Sequence, residues 1–232
     1  MIVVGKISVK AILESRKREI KKVYLLKDRN DRDMRYVKAK AKGMDLELVS
    51  REALDRISGV KNHGGYAVEC GPRISDELDT LLESYFLIEG VTDPYNLGEI
   101  LRSLYALGIE SVITPSYDFY EHEAKLIRAS AGASEKINWI QSDDVTLDLA
   151  TLKDEGYDIV GAHRQDGSHS ILHYEWNAKT CICIGGALRG LSRSVLDLCT
   201  NYVRLDYDAK IALSAGGATT VFAYSYYQTQ RR

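Results

Sequence analysis

Thr92-Asp93-Pro94-Tyr95-Asn96-Leu97-Gly98-Glu99-Ile100-Leu101-Arg102 decides the fold, because a buried strand ends just before it and an amphipathic helix begins within it. Upstream, Tyr85-Phe86-Leu87-Ile88 is an apolar run of strand length, closed by Gly90 and by the turn chemistry of Asp93-Pro94. Downstream, Ile100, Leu101, Leu104 and Leu107 recur at helical spacing until Gly108, and Val112-Ile113 opens the next strand. Strand, turn, helix and strand make the unit of an α/β sheet. The unit puts Asn96 and Arg102 at the carboxyl end of a strand, where open α/β sheets hold their ligands.

The chain around this stretch has 232 residues, 45% hydrophobic and 28% charged, enough for one large domain or two smaller ones, and two are expected. A formal net charge of -2 gives no global sign of nucleic-acid binding, so any nucleic-acid surface must come from local clustering. No apolar run reaches membrane-spanning length. Met1-Ile2-Val3-Val4 is too short for a signal peptide and is followed too soon by Lys6 and Lys10, so a cytoplasmic protein without a membrane partner is expected. Cys70, Cys181, Cys183 and Cys199 lack the paired spacing of a zinc site, and His163, His169 and His173 have no ligand spacing. Buried free thiols and no metal are expected.

From Gly5 to Gly43 the chain is basic, with Arg16-Lys17-Arg18, Lys21-Lys22, Arg29, Arg32, Arg35, Lys38, Lys40 and Lys42. These are either solvated faces or phosphate contacts. Between them Val9, Ile12 and Leu13 form a helical stripe, Val23-Tyr24-Leu25-Leu26 a strand, and Met34, Val37 and Ala41 a second stripe. Leu46 to Val49 is a further strand, Ser50 caps a helix through Ala53, Leu54 and Ile57, and Tyr66 to Cys70 closes a small α/β unit. A polar hinge follows, with Ser75, Asp76 and Asp79.

In the second half, Glu123 to Ala133 reads as a helix ending in small residues that suit close packing. Ile159 to His163 reads as a strand running into the loop Arg164-Gln165-Asp166-Gly167-Ser168. Thr180 to Ile184 is an apolar strand that ends in Gly185-Gly186-Ala187-Leu188-Arg189-Gly190-Leu191-Ser192. Glycines there let backbone groups approach a ligand without side-chain obstruction. A helix carrying Val195, Leu196 and Leu198 leads to the strand Val203-Arg204-Leu205, and the small-residue run Ile211 to Val221 turns into a last helix.

Asp93-Pro94-x-Asn96-x-Gly98-x-Ile100-x-Arg102 resembles the first signature motif of the SpoU/TrmH family of RNA ribose 2′-O-methyltransferases, in the SPOUT class. Gly185 to Ser192 resembles its second motif, and Ile211 to Val221 its third. The turn Asn62-His63-Gly64-Gly65 resembles the end of the family's amino-terminal substrate-binding domain, with Gly64 in place of the usual Gln. The resemblance implies an RNA-binding α/β domain over 1–72, a linker over 73–80, and over 81–232 a parallel sheet with helices on both faces and a carboxyl-terminal trefoil knot. It also implies S-adenosylmethionine held at Ile184, Gly185, Gly190, Leu205 and Leu213. Arg102 would bind the adjacent phosphate and assist deprotonation of the ribose hydroxyl, Asn96 would orient the site, and Ser214 would stand where Asn is usual. The substrate would be structured RNA, ribosomal before transfer, and the assembly a homodimer with Phe222, Tyr224, Tyr226 and Tyr227 at its interface. Ala187 occupies the place of a family glutamate. That substitution leaves open a second reading, a non-catalytic RNA-binding protein that retains the fold.

Overall fold

The computed structural model describes residues 1–208 and 211–231. In chain order its elements are β1 (Ile2–Val4), α1 (Lys6–Ser15), β2 (Ile20–Leu26), α2 (Arg32–Lys40), β3 (Leu46–Val49), α3 (Arg51–Ser58), β4 (Tyr66–Cys70), β5 (Ser84–Glu89), α4 (Pro94–Ala106) and β6 (Ser111–Pro115). There follow α5 (Glu123–Ala129), α6 (Ala133–Lys136), β7 (Asn138–Ser142), α7 (Val145–Asp154), β8 (Asp158–Ala162), β9 (His169–Ser170), β10 (Thr180–Gly185), α8 (Arg193–Leu198), β11 (Asn201–Arg204) and α9 (Ala215–Thr229). The chain groups into two units, one of residues 1–74 and 118–136, the other of 75–117 and 137–232.

The first unit carries a four-stranded sheet in the order β1-β4-β2-β3, with β4 antiparallel to both β1 and β2 and β3 parallel to β2. Val9, Ile12 and Leu13 of α1 and Met34 and Val37 of α2 pack on one face, with Val23, Leu25 and Val68 beneath them. Leu54 of α3 covers the other face over Ala67. Ser50 caps α3 as expected, accepting from the Ala53 N–H, and Asp31 caps α2, accepting from the Met34 N–H, each satisfying a helix amide that has no partner within its helix. His63 is buried as a turn brace. Its Nδ1 accepts from the Gly65 N–H at 2.9 Å and its Nε2–H donates to Asp55 at 2.9 Å.

One element of the basic run is neither solvated nor free for phosphate. The Arg18 side chain is 1% exposed, its Nε and Nη2 donating to the two carboxylate oxygens of Glu135 at 2.9 Å and its Nη1 to Glu123 and the Gly71 carbonyl. Burial alone would lower the guanidinium's proton affinity, but Glu135 and Glu123 beside it hold it well above its usual value. Glu123 to Ala133, read from the sequence as packing helix, thereby belongs to the first unit through α5 and α6.

The second unit is a seven-stranded sheet in the order β7-β6-β5-β10-β8-β11-β9, parallel at every pairing. Its central strands β5 and β10 are buried almost throughout, as an all-parallel sheet covered on both faces requires. From β5 the chain winds through β6 to β7 on one side, whereas β8 and β11 lie on the other side of β10. The winding direction therefore reverses between β5 and β10. The crevice outside the carboxyl ends of two such strands is where doubly wound sheets bind ligands.

Asp158, at the start of β8, is the polar hub of this unit. It accepts from Tyr174 Oη at 2.8 Å, from Asn201 Nδ2 at 2.8 Å, from Asn177 Nδ2 at 3.3 Å and from the Thr200 hydroxyl. Phe222 and Tyr226 are 1% and 5% exposed, their rings set edge-on to Trp176, with the Tyr226 hydroxyl donating to the Ala178 carbonyl. These two aromatics are core residues of the unit and not interface residues. Tyr224 and Tyr227, stacked at 6.2 Å, remain on the outer side of α9. Cys70, Cys181 and Cys183 are buried, and burial pushes the Cys70 thiol up to about 11.

Candidate functional site

The turn after β5 is built by Asp93, whose Oδ1 accepts from the backbone N–H groups of Tyr95 at 3.1 Å and Asn96 at 2.8 Å while Pro94 takes the first helical position. That cap fixes where α4 starts. Leu97, Ile100, Leu101 and Leu104 turn into the core, so Asn96, Glu99 and Ser103 face the other way along one side of the helix.

Opposite them, the loop after β10 folds back on its own strand. A carbon placed on Gly185 would lie 2.1 Å from the Gly190 carbonyl carbon, and one on Gly186 would lie 2.6 Å from the Gly90 carbonyl oxygen. Any side chain at either position would collide with backbone. Glycine is required there so that the two strand ends can close on each other. Glu89, the last residue of β5, pins the loop by accepting from the Ser192 N–H at 2.7 Å.

Between these walls lies a cavity of about 810 Å³, lined by Asn96, Glu99 and Ser103 of α4, Ala187 to Gly190 of the loop, and Ser214 to Gly217 and Thr220 at the start of α9. Beside it is a smaller cavity of about 150 Å³, with Ile184, Gly185, Leu205 and Leu213 in its wall and Val203 and Phe222 as apolar lining. Gly190 and Ala215 line both cavities. The structure thus brings together all five residues expected around the cofactor, and joins their cavity to the one that holds Asn96 and Ser214. The Leu205 carbonyl already accepts from Arg164 at 2.6 Å, with its second lone pair left over. Ser214 caps α9, accepting from the Gly217 N–H at 3.1 Å, so its hydroxyl proton remains available to a ligand.

Arg102 is exposed on α4 and lines neither cavity. It stands next to Ser103 in the helix, on its outward face. Sequence reading passed over Glu99, Ser103, Arg189 and Thr220, all of which line the larger cavity. Asn96, Glu99 and Ser103 recur at i, i+3 and i+7, a single helix face, and that spacing is the signal that could have found the first two.

Residues 83–224 match the profile described as the SpoU rRNA Methylase family, and residues 2–74 match the one described as RNA 2'-O ribose methyltransferase substrate binding. The chain is 28% identical over 231 residues to the 23S rRNA (guanosine-2'-O-)-methyltransferase RlmB of Yersinia pestis, covering 95% of this chain and 94% of that protein. It is 27% identical over 208 residues to the RlmB of Photobacterium profundum, covering 85% and 84%. Among solved structures it resembles the SpoU methyltransferase AviRb from Streptomyces viridochromogenes in complex with AdoMet, with a TM-score of 0.79 at 18% identity over 100% of this chain and 90% of that one. An AdoMet-bound rRNA methyltransferase from Sinorhizobium meliloti also gives 0.79, at 20% identity over 98% and 86%. At such identities the structural likeness speaks for the shared fold.

Proposed function

The chain belongs to the SpoU rRNA methylase family, and on that footing we propose that it transfers a methyl group from S-adenosylmethionine to a ribose 2′-hydroxyl of RNA, ribosomal RNA before transfer RNA. The observation that carries the reading is the pair of joined cavities at the carboxyl ends of β5 and β10, with Asn96 and Ser214 in one and Ile184, Gly185, Leu205 and Leu213 in the other. The curated relatives are named for 2′-O-methylation of a guanosine in 23S rRNA, which favours that substrate class.

The residues present fit the cofactor. A small cavity with aliphatic and aromatic lining at Ile184, Val203, Leu213 and Phe222, and with His163, Arg164 and Arg204 beside the backbone of Gly185 and Leu205 as its polar groups, suits a flat heteroaromatic base. When bound, S-adenosylmethionine supplies an electrophilic methyl group on a sulfonium. Asn96 orients the acceptor ribose by its amide, Ser214 donates its free hydroxyl proton, and Arg102 binds the neighbouring phosphate as a charged fork of N–H donors. Arginine is far too weak a base to take a proton at neutral pH, so its contribution is anchorage.

We assign residues 1–72 to RNA binding, 73–80 to a linker and 81–232 to methyl transfer, with 118–136 packed into the first unit. Of the basic run, Arg32, Arg35 and Lys40 on α2 are exposed, and Lys10 and Lys40 lie 4.5 and 5.6 Å over the Tyr36 ring. This surface suits phosphate contacts that position an RNA without reading it. Gly190 of the loop after β10 and Ala215 at the start of α9 line both cavities together, and on that juxtaposition we rest a knotted carboxyl-terminal segment. The exposed side of α9, with Val221 at 42% and Tyr224 at 51%, supports a homodimer, and the relatives named for methylation of ribosomal RNA support a cytoplasmic enzyme; no helix among the described residues is long and apolar enough to cross a membrane.

One observation favours the second reading, an RNA-binding protein without transferase activity: Ala187 lines the larger cavity and can neither hydrogen-bond nor carry charge there. Incubation with methyl-labelled S-adenosylmethionine and unmodified ribosomal and transfer RNA decides between them. The enzyme yields label in alkali-resistant 2′-O-methyl dinucleotides, and the binding protein yields cofactor or RNA binding without label.

A further inference from the structure

Methyl transfer to a hydroxyl needs a group that takes the hydroxyl proton, because an alcohol is a poor nucleophile at neutral pH. The wall of the larger cavity offers few candidates. Asn96, Ser103, Ser214 and Thr220 are neutral amide and alcohol groups without useful basicity, and Arg189 is a permanent cation. Asp93 is held against the first turn of α4 as its cap, its Oδ1 accepting two backbone N–H groups, so that its carboxylate cannot turn toward a substrate without uncapping the helix. Glu99 is different. It lines the cavity one helical turn from Asn96, is exposed, and has no ion-pair or hydrogen-bond partner among the described residues.

We propose that Glu99 is the general base of the reaction, its carboxylate taking the proton of the ribose 2′-hydroxyl that Asn96 orients from the same helix face. This deepens the methyltransferase reading and rests on it. Residues three apart on a helix are surface neighbours, about 5–6 Å between their Cβ atoms, close enough to address one ribose together. As the 2′-oxygen bonds to the methyl carbon, the carbon–sulfur bond breaks with its electron pair left on sulfur, and the hydroxyl proton passes to the Glu99 carboxylate. Product release returns that proton to solvent. A base on α4 also explains how the cavity can function with Ala187 in its opposite wall, since the carboxylate is then supplied from the first motif's helix.

The test compares wild type with Glu99→Gln, which keeps the shape and removes the base, and with Glu99→Ala, measuring single-turnover methyl transfer from about pH 5 to about pH 9 and, separately, S-adenosylmethionine affinity by calorimetry. The expected result is a roughly 10²- to 10⁴-fold slower transfer in Glu99→Gln, the usual worth of a general base, with cofactor affinity held within about threefold. Glu99→Ala is expected to regain rate when formate is added, because the small carboxylate can occupy the vacated space. Transfer by Glu99→Gln within about threefold of wild type overturns the proposal and leaves the enzyme reading standing. A loss of cofactor affinity parallel to the loss of rate also overturns it, and assigns Glu99 to holding the cofactor's ammonium or sulfonium charge. A wild type that binds the cofactor and methylates neither RNA pool overturns the reading and the proposal together.

Discussion

Arg18 in the first unit and Glu99 in the second are both charged, yet Arg18 is buried with Nε, Nη1 and Nη2 all donating to acceptors, while Glu99 stands exposed at a cavity with no partner among the described residues. Taking a guanidinium and two carboxylates out of water costs several kcal/mol per ion, and that cost is offset only when each charge meets its partners in good geometry. Such a cluster fixes a fold and has nothing left for a ligand. A charge kept in water costs little and holds its bonding capacity for whatever enters the cavity. Among charged residues of equal prominence in a sequence, the partners each one meets separate architecture from chemistry.

The largest effect is expected at Glu135, whose side chain is 0% exposed against Arg18. Glu135→Gln leaves the guanidinium half-paired in a dry site, and the expected loss is about 3–5 kcal/mol, read as a lower midpoint in urea unfolding. A loss below about 1 kcal/mol would mean that the cluster is hydrated and that its burial does not make it structural.

Gly185 sharpens the same contrast on the side of the cavity, where the backbone and not a charge is fully committed. Gly185→Ala sets a methyl 2.1 Å from the Gly190 carbonyl carbon, so the loop must open. The expected stability loss is about 1–3 kcal/mol, as for other overpacked sites, together with weakened S-adenosylmethionine binding in a calorimetric titration. Unchanged binding would separate the loop from the cofactor.

What could be read from the sequence follows this division. The strands Tyr66–Cys70 and Thr180–Gly185 and the caps at Ser50 and Asp93 are legible because hydrophobic period and turn chemistry are local properties of the chain, and the gathering of Ile184, Gly185, Gly190, Leu205 and Leu213 at one cavity is legible through the order of the family's motifs. Arg18 was not legible, since its partners Glu123 and Glu135 lie more than a hundred residues away and a basic run looks solvated until the fold pairs it. Asp158 escaped notice for the same reason, with ligands drawn from Tyr174, Asn177, Thr200 and Asn201. Phe222 and Tyr226 looked like interface aromatics because α9 alone does not reveal that Trp176 covers them. Glu99 lies inside the first motif yet is not legible as a base, because a lone acid on a helix is ordinarily a solvated one.

Arg102 should behave like Glu99 and unlike Arg18. Exposed and outside both cavity walls, it can be removed with stability unchanged within about 0.5 kcal/mol. If it anchors a phosphate, Arg102→Ala weakens RNA binding and makes the slope of log affinity against log salt shallower by about 1. A large drop in unfolding midpoint would instead place Arg102 with the structural charges.

Asp33 tests the smallest effect and the boundary between the two classes, since it is paired yet only half-buried. Lys6 at 2.7 Å and Lys10 at 3.0 Å donate to its two oxygens and hold its carboxyl down to about 2. The ordinary aspartate value, which the unfolded chain keeps, is near 3.9. A carboxylate whose folded value is depressed contributes stability at pH above the unfolded value and loses it as pH falls through the folded one. Asp33→Asn should therefore lower the unfolding midpoint slightly at about pH 6, by an amount that shrinks from about pH 4 downward and closes near about pH 2. Because the ions stand in water, added salt should close most of the same gap at neutral pH, which it would not do for Arg18 and Glu135. A gap that persisted in acid and in salt would show that the Asp33 side chain works by shape and hydrogen bonding, and would move it to the side of the buried cluster.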